Sequence, residues 1–224
     1  MNIDYLENPE QKTLFITGIG TEIGKTICSA VLTKYFRADY WKPVQSGDLD
    51  FSDSMKIKTW AGENTVCHPE TYRFALAASP HQAAREERIT IDLNTIHLPE
   101  TENNLIIEGA GGLMVPLTDN EYIIDLIATL NIPAVLVVRN YLGCINHTLL
   151  SIMALQSKNI RLRYIILNGS FPVDTESIIC KNIPPGTEII RIPDLKEVTG
   201  ENIEIITKTL KIYDRQNCIT NRLD

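Results

Sequence analysis

Hydrophobic residues recur in short runs, and a glycine, asparagine or proline follows each run within two residues. The runs occupy residues 14–16, 105–107, 134–138, 164–167 and 188–192. Apolar and polar positions do not alternate within them, so both faces of each segment should be covered. The pattern therefore predicts the strands of a buried, mostly parallel sheet.

Helical spacing fills the intervals between these runs. The clearest case, residues 25–36, places Cys28, Val31, Leu32 and Tyr35 on one face. Similar spacing covers 122–130, 147–156 and 201–213, the last with Ile205, Ile206 and Leu210 as its apolar positions. Alternating strands and helices predict an α/β fold, a doubly wound sheet with helices on both faces.

The 224 residues contain no Ser/Gly-rich linker, no shift in composition and no repeat of 20 to 50 residues. We therefore expect a single domain over 1–224, with 1–12 and 215–224 as peripheral tails. The least regular part, residues 48–100, is expected to form a cap over one edge of the sheet.

Composition excludes some function classes. Apolar residues make up 44% and charged residues 22%, which is ordinary for a globular protein and excludes intrinsic disorder. The net charge is −7 and no basic stripe is visible, so a nucleic-acid partner is not expected. The longest apolar stretch is too short to span a bilayer, and the polar N-terminus does not resemble a signal peptide.

The five cysteines, Cys28, Cys67, Cys144, Cys180 and Cys218, are widely spaced and form no Cys-x-x-Cys pair. This spacing argues against a zinc site or a redox pair. It predicts reduced thiols and a cytoplasmic location.

The strongest chemical signal is the segment 17–26, which reads Thr-Gly-Ile-Gly-Thr-Glu-Ile-Gly-Lys-Thr. It follows a predicted strand and opens a predicted helix, the context of a phosphate-binding loop of the P-loop NTPase type. Lys25 would reach the β- and γ-phosphates, and the Thr26 hydroxyl would bind Mg²⁺. Five residues separate Gly18 from Gly24, one more than in the standard loop. The alternative is a glycine-rich turn with a solvated lysine.

Two further charged residues follow predicted strands at the same edge of the sheet. Glu108 ends one strand and precedes the glycine-rich segment 109–112, so it could ligate a metal or cap the next turn. Lys42 ends the second strand, where it would stand near Lys25 or remain a surface lysine. Asp53 lies in an acidic loop, and the sequence alone assigns it no role.

Four segments, 18–26, 42–47, 108–112 and 142–147, together resemble the dethiobiotin synthetase family. The resemblance runs from about residue 13 to residue 195. It implies that 7,8-diaminopelargonic acid, CO₂ and ATP are converted to dethiobiotin, ADP and phosphate. A carbamate forms on one amine, ATP phosphorylates it to a carbamic–phosphoric anhydride, and the second amine closes the ring.

The resemblance also implies roles for single residues. Lys25 and Lys42 are the implied catalytic residues, which neutralise the carbamate and the transferred phosphoryl group. The implied Mg²⁺ ligands are Thr26, Asp53 and Glu108. Thr21 and Ser46 would contact the diamine or carbamate. The implied nucleotide-binding set is Glu22, Ile23, Gly24, Lys25, Thr26, Ile27, Asp53, Glu108, Gly109, Ala110, Gly111, Asn168, Pro193, Asp194 and Leu195.

Within that set Asn168 would bind adenine, while the acidic ribose contact is left open between Glu197 and Glu201. Gly143, Cys144, Ile145 and Asn146 precede a predicted helix with Asn146 as its N-cap. In the family this turn comes from a neighbouring subunit and holds the substrate carboxylate, which implies a homodimer with shared sites. The sequence departs from the family at Gly20 and Gly169, where acids are common.

The alternative function is that of a ParA-like ATPase, a nucleotide-driven switch with a similar loop. Such loops carry a lysine four residues before the second glycine, and here that position is Gly20. The missing basic stripe also argues against this alternative.

Overall fold

The computed structural model describes residues 13–214, and its central feature is an eight-stranded sheet. The strands run in the order β10-β9-β8-β7-β1-β6-β2-β4, while β3 and β5 form a separate two-stranded sheet. Their bounds are β1 Thr13–Gly18, β2 Asp39–Trp41, β3 Val44–Ser46, β4 Cys67–His68, β5 Tyr72–Phe74, β6 Leu105–Gly112, β7 Ala134–Arg139, β8 Leu162–Asn168, β9 Glu188–Ile192 and β10 Ile212–Tyr213.

Parallel pairing dominates the large sheet, and among the strands of 13–214 only β10 joins its neighbour β9 in the antiparallel sense. β1 lies at the centre between β6 and β7, with Phe15 opposite Ile107 on one side and Ala134 on the other. Because the strands are parallel, the loops that follow β1, β2 and β7 emerge at one edge. That edge is where ligands bind in open α/β sheets.

Seven α-helices lie within the described part of the chain. They are α1 Lys25–Phe36, α2 Asp53–Ala61, α3 Pro80–Glu86, α4 Ile123–Leu130, α5 Cys144–Ser157, α6 Val173–Asn182 and α7 Gly200–Thr209. Short 3-10 turns at Leu49–Phe51 and Leu93–Thr95 complete the described elements.

The helices cover both faces of the sheet, so apolar side chains of each strand are buried on two sides. On β1, Leu14 and Ile16 pack with α1, α2 and α7, whereas Phe15 packs with α4, α5 and α6 on the other face. All three of these side chains are at most 1% exposed. The doubly wound α/β fold predicted from the short apolar runs is confirmed.

The start of α1 depends on a glycine. Gly24, the N-cap, has φ +85°, a left-handed conformation that costs little only without a side chain. A Cβ atom there would also lie 2.3 Å from the Asn168 side-chain nitrogen. The helix ends at Arg37, which adopts the left-handed C-cap conformation.

Two predicted helices differ from the structure at their ends. α5 begins at Cys144 with Gly143 as N-cap, so the prediction of Asn146 as the N-cap is wrong, and Asn146 lies inside the first turn. The last helix stops at Thr209 and the chain continues as β10, because it pairs there with β9. Ile205, predicted to be apolar core, is 53% exposed, and Ile203 is buried instead.

The region 48–100 contains more regular structure than a loose cap. β4 extends the main sheet beside β2, and α2 packs against α1 and α7. β5 pairs with β3 in the small sheet, and α3 packs against both strands. The predicted tails, 1–12 and 215–224, lie outside the described residues.

The cysteines follow the prediction in part. Cys28, Cys67 and Cys144 are free thiols. Cys180 on α6 is disulfide-bonded, so the expectation of reduced thiols is wrong at that position. Between residues 13 and 214 no helix is long and apolar enough to cross a membrane.

Candidate active site

A cavity of about 740 Å³ opens beside the loop that joins β1 to α1. Its walls come from that loop, from the segment after β2, from the start of α2 and from β6. The sequence-predicted residues that line it are Thr21, Glu22, Gly24, Lys25, Thr26, Ile27, Lys42, Ser46, Asp53, Glu108, Ala110 and Gly111. The fold therefore brings residues separated by up to 90 positions into one cleft.

The loop itself holds its lysine close. The Lys25 ammonium donates to the Gly20 carbonyl at 2.9 Å, and the residue is 8% exposed. Burial lowers the pKa of Lys25, although the nearby Glu108 carboxylate opposes that shift. Gly24 supplies no capping side chain to α1, so the first-turn N–H groups are available to an anion.

Glu108 accepts hydrogen bonds from three side chains in the cleft and is 1% exposed. Its Oε1 accepts from the Thr26 hydroxyl at 2.9 Å and from the Lys42 ammonium at 3.3 Å. Its Oε2 accepts from the Tyr40 hydroxyl at 3.0 Å. A buried carboxylate is tolerated only with such partners, and these three donors fix its position. Burial raises the pKa of Tyr40 well above its usual range, and Glu108 adds to that shift.

Lys42 joins the two carboxylates of the cleft. Its ammonium contacts both Asp53 and Glu108, and the side chain is 7% exposed. Burial alone would lower the pKa of Lys42, but the two carboxylates outweigh it and the pKa is raised. Burial alone would raise the pKa of Asp53, but the Lys42 charge outweighs burial, and the pKa of Asp53 is lowered. Lys42 therefore carries its positive charge in the cleft.

Three residues that contact Asp53 or Glu108 were missed at the level of sequence. Tyr40 stands two positions before Lys42, and strand alternation would have put both on one face. Lys56 donates to Asp53 Oδ1 at 3.1 Å, and their spacing of three on α2 was the available signal. Gln45 accepts from the Asp53 N–H at 3.4 Å, a contact across a loop that no spacing rule indicates.

Ser46 lines the cavity with a free hydroxyl. Its Oγ is buried, and within 13–214 it has no hydrogen-bond partner. An unsatisfied buried hydroxyl costs free energy, so a ligand that bonds it would gain affinity. The next residue, Gly47, has φ +74°, and a Cβ atom would come within 2.6 Å of the Ala77 backbone. Glycine at this position therefore allows the close approach of the Ala77 backbone.

Sequence comparison relates the chain to enzymes of one kind. A family model described as an AAA domain matches residues 12–202. The ATP-dependent dethiobiotin synthetase BioD of Cytophaga hutchinsonii is 48% identical over 173 residues, which cover 76% of this chain and 84% of that protein. The same enzyme of Chlamydia pneumoniae is 38% identical over 197 residues, 88% of this chain and 84% of that protein. The chain belongs to the dethiobiotin synthetase family.

Solved structures with a similar backbone are distant in sequence, so they show only that this dethiobiotin synthetase family member shares their fold. A ParA family ATPase from Chlorobium tepidum superposes with a TM-score of 0.52 at 12% identity, covering 87% of this chain and 90% of that one. The MinC:MinD complex of Aquifex aeolicus gives 0.51 at 13% identity, covering 88% and 89%. Both likenesses are consistent with a P-loop NTPase sheet. They do not support a ParA-like function over the one that the family indicates.

A second group of predicted residues lies outside the lining of the cavity, beyond β8 and β9. The Asn168 side-chain amide donates to the Ile23 carbonyl at 2.7 Å and is nearly buried, so it braces the loop between β1 and α1. Asp194 accepts from the Ser170 N–H at 2.9 Å and pairs with Arg139 at 3.0 Å. The Ser170 N–H lowers the pKa of Asp194, which is half exposed. Pro193 and Leu195 flank this carboxylate.

Other predicted contacts of this dethiobiotin synthetase family member are structural in the single chain. Ile23 is buried in the core. Gly109 makes room for the Phe15 ring, because a Cβ atom on Gly109 would lie 2.7 Å from that ring. Gly143, Cys144, Ile145 and Asn146 begin α5 outside the cavity lining. Beside them the Tyr141 hydroxyl and His147 Nδ1 are 2.7 Å apart.

Proposed function

We propose that the chain catalyses the ATP-dependent carboxylation and ring closure of 7,8-diaminopelargonic acid to dethiobiotin. The carrying observation is the buried Lys42 ammonium between Asp53 and Glu108, with Thr26 on the same glutamate. This arrangement faces the phosphate loop across one cavity. It occurs in a chain up to 48% identical to proteins named for this synthesis.

The chemistry requires positioning rather than a protein nucleophile. One substrate amine adds to CO₂ and loses a proton to form a carbamate. The carbamate oxygen attacks the γ-phosphorus of ATP, releasing ADP and giving a carbamic–phosphoric anhydride. The second amine attacks the carbamoyl carbon, which expels phosphate and closes the ureido ring. Among the residues of 13–214 that line the cavity, none is Cys or His, in keeping with this division of labour.

The lysines stabilise charge at two places. Lys25 and the first-turn N–H groups of α1 would hold the β- and γ-phosphates. Lys42, kept cationic by two carboxylates, would neutralise the carbamate and the transferred phosphoryl group. Burial lowers the pKa of Lys25, whereas Glu108 and Asp53 outweigh burial at Lys42 and raise its pKa.

A magnesium ion fits the donors that line the cleft. Two carboxylates and one hydroxyl, from Asp53, Glu108 and Thr26, face the cavity. Mg²⁺ typically takes one or two carboxylates and completes its shell with phosphate oxygens and water. Across residues 13–214 no cluster of three or more His, Cys, Asp or Glu side chains could hold a metal alone. The ion would thus be held jointly with the nucleotide and would neutralise phosphate charge.

The remaining subsites belong to the same proposal. Thr21 and the unsatisfied Ser46 hydroxyl would contact the diamine or its carbamate, and Asn168 with residues 193–195 would hold the nucleoside. Gly143 to Asn146 would hold the substrate carboxylate of a second copy in a homodimer. Large apolar side chains are exposed around that turn, including Met114, Leu142, Leu150 and Met153. Such a patch supports a subunit interface.

A cytoplasmic location is also part of the proposal. The three free thiols support a reducing compartment, whereas the disulfide-bonded Cys180 argues against it.

Size-exclusion chromatography with light scattering would test the homodimer. A mass near 50 kDa, twice the 25.2 kDa chain, supports it, and a monomer at micromolar concentration contradicts it.

Phosphate release tests the proposed function directly. The protein is mixed with ATP, Mg²⁺, bicarbonate and the diamine, and each component is omitted in turn. We expect release only when all are present, with one dethiobiotin formed per phosphate. Release that continues without the diamine and rises with DNA would contradict the proposal and favour the ParA-like alternative.

A further inference from the structure

Two ammonium groups share the carboxylate of Asp53, one on each oxygen. Lys42 contacts Oδ2, and Lys56 donates to Oδ1 at 3.1 Å. The carboxylate is therefore fully paired before any ligand enters the cleft. A cation that is to bind Asp53 must first displace one of the two lysines.

The two lysines differ in how firmly they are held. The Lys42 side chain is 7% exposed and also contacts the buried Glu108. The Lys56 side chain is 22% exposed, and a second carboxylate, Asp48, lies 3.6 Å from its ammonium. Because Asp48 is largely exposed, Lys56 can move toward it and keep a counter-charge. Lys56 is therefore the partner that a cation would displace.

We propose that Lys56 is the resident counter-ion of Asp53, and that it keeps free divalent cations off this carboxylate until the triphosphate arrives. The inference rests on the proposed role of Asp53 as a metal ligand. Neither the motifs nor the resemblance assigned Lys56 any role.

The physical basis is charge competition. An ammonium group and a divalent cation repel each other, and the repulsion at a few ångströms is strong in a partly buried cleft. A triphosphate changes this balance, since its negative charge attracts both the ion and Lys56. Removal of the Lys56 charge should therefore strengthen metal binding most when nucleotide is absent. Because the gain is larger without nucleotide, the same change weakens the coupling between metal and nucleotide, and the weakening is equal for both ligands.

Binding of Mn²⁺ to the nucleotide-free protein, followed by electron paramagnetic resonance, tests the inference without turnover. We expect Lys56→Met to bind Mn²⁺ about tenfold more tightly than the unmodified chain. Lys58→Met is the matched control, because Lys58 is an exposed lysine on the same helix outside the cavity lining. It removes the same charge two residues away and should leave the affinity within about twofold.

Asp53→Asn separates failure of the inference from failure of the proposed metal site. The first comparison adds Asp53→Asn to the Lys56→Met protein. If this double variant loses the tight Mn²⁺ binding, the competition occurs at Asp53 and the inference holds. If Asp53→Asn weakens binding but Lys56→Met does not strengthen it, the metal site stands and the inference is overturned. If Asp53→Asn changes nothing, the metal role of Asp53 fails and the inference fails with it.

Adding a non-hydrolysable ATP analogue completes the test. We expect the analogue to raise Mn²⁺ affinity in the unmodified chain by a larger factor than in Lys56→Met. Equal factors in the two proteins would overturn the claim that Lys56 makes metal binding depend on nucleotide.

Discussion

Two stretches of the same sheet edge are built differently. Beyond β1, β2 and β6 the charged side chains are buried and bonded to each other, as Lys42 is to Asp53 and Glu108. Beyond β7, β8 and β9 the ion pair of Arg139 and Asp194 is about half exposed, and α5 begins among exposed apolar residues. We call these the buried charge cluster and the open flank.

The difference separates two requirements of the reaction. Phosphoryl transfer needs charges that are already oriented when the substrate arrives, and a buried, mutually paired cluster provides them. Recognition of a base or of a substrate tail can rely on exposed groups that a ligand or second subunit covers. Substitutions should therefore act on turnover in the buried charge cluster and on binding in the open flank.

Removal of the central lysine should have the largest effect. We expect Lys42→Ala to lower kcat by about a thousandfold, because one preorganised charge at the transition state is lost. Steady-state assays of phosphate release measure this, and urea unfolding checks the fold. Lys42→Met keeps most of the side-chain volume, so it controls for loss of stability from the cavity that Lys42→Ala would leave. A well-folded variant with kcat within about fivefold of the original would break the contrast.

A backbone change in the open flank should affect substrate binding instead. Gly143 has φ +103°, so Gly143→Ala strains the first turn of α5. We expect KM for the diamine to rise about tenfold while kcat changes less than about threefold. Gly186→Ala is the matched control, since Gly186 has φ +80° and open space around it. Equal KM changes in both variants would refute a local role for Gly143.

Acid titration distinguishes a buried paired aspartate from an exposed one. Donors from Thr101, Asn103 and His68 outweigh the burial of Asp39 and lower its pKa, and Asp39 is 4% exposed. A depressed folded-state pKa stabilises above the unfolded value, near about 4, and that contribution is lost as the pH falls through the folded value. We expect the deficit of Asp39→Asn in unfolding free energy to shrink by about 1 kcal/mol from pH 7 to pH 3.

The half-exposed Asp194 is the comparison for that titration. Its pKa is also lowered, by the Ser170 N–H, but solvent screens its pairing with Arg139. Asp194→Asn should therefore change the acid limb less than Asp39→Asn in the same urea titration. A larger dependence at Asp194 would contradict the ranking by burial.

The smallest effect is expected at the other end of that pair. Arg139→Ala removes an exposed ion pair, and we expect it to lower the free energy of unfolding by about 0.5 kcal/mol. Chemical denaturation measures the change. A loss above about 2 kcal/mol would show that the open flank is stabilised like the buried charge cluster.

Sequence reasoning located the fold and half of the site because strand ends and motifs carry those signals. The runs of buried residues gave the strands, and the Gly-Lys-Thr tripeptide placed Lys25 and Thr26 at the start of α1. Strand position also indicates the ligand-binding edge for Glu108, whereas for Lys42 it leaves a surface lysine as an alternative that the family resemblance resolves. Asp53 needed the family resemblance, since an acidic loop has no distinctive spacing.

The parts that sequence reasoning missed depend on tertiary contacts. The start of α5 differs from the prediction because Gly143, in a left-handed backbone conformation, is the N-cap. Asparagine is a common N-cap residue, and that preference alone favoured Asn146. Helical spacing predicts a helix through β10, because a strand of two residues carries too weak a pattern to show its pairing with β9. The contact of Tyr40 with Glu108 joins positions 68 apart and appears only once β2 and β6 are neighbours.

A crystal structure with a non-hydrolysable ATP analogue, Mg²⁺ and the diamine tests the central claim most directly. The account predicts the phosphates against the backbone N–H groups of residues 22–26, the ion touching Thr26, Asp53 and Glu108, and Lys42 beside the γ-phosphate. A phosphate loop without nucleotide at saturating concentration, or a Glu108 side chain turned away from the ion, would contradict it.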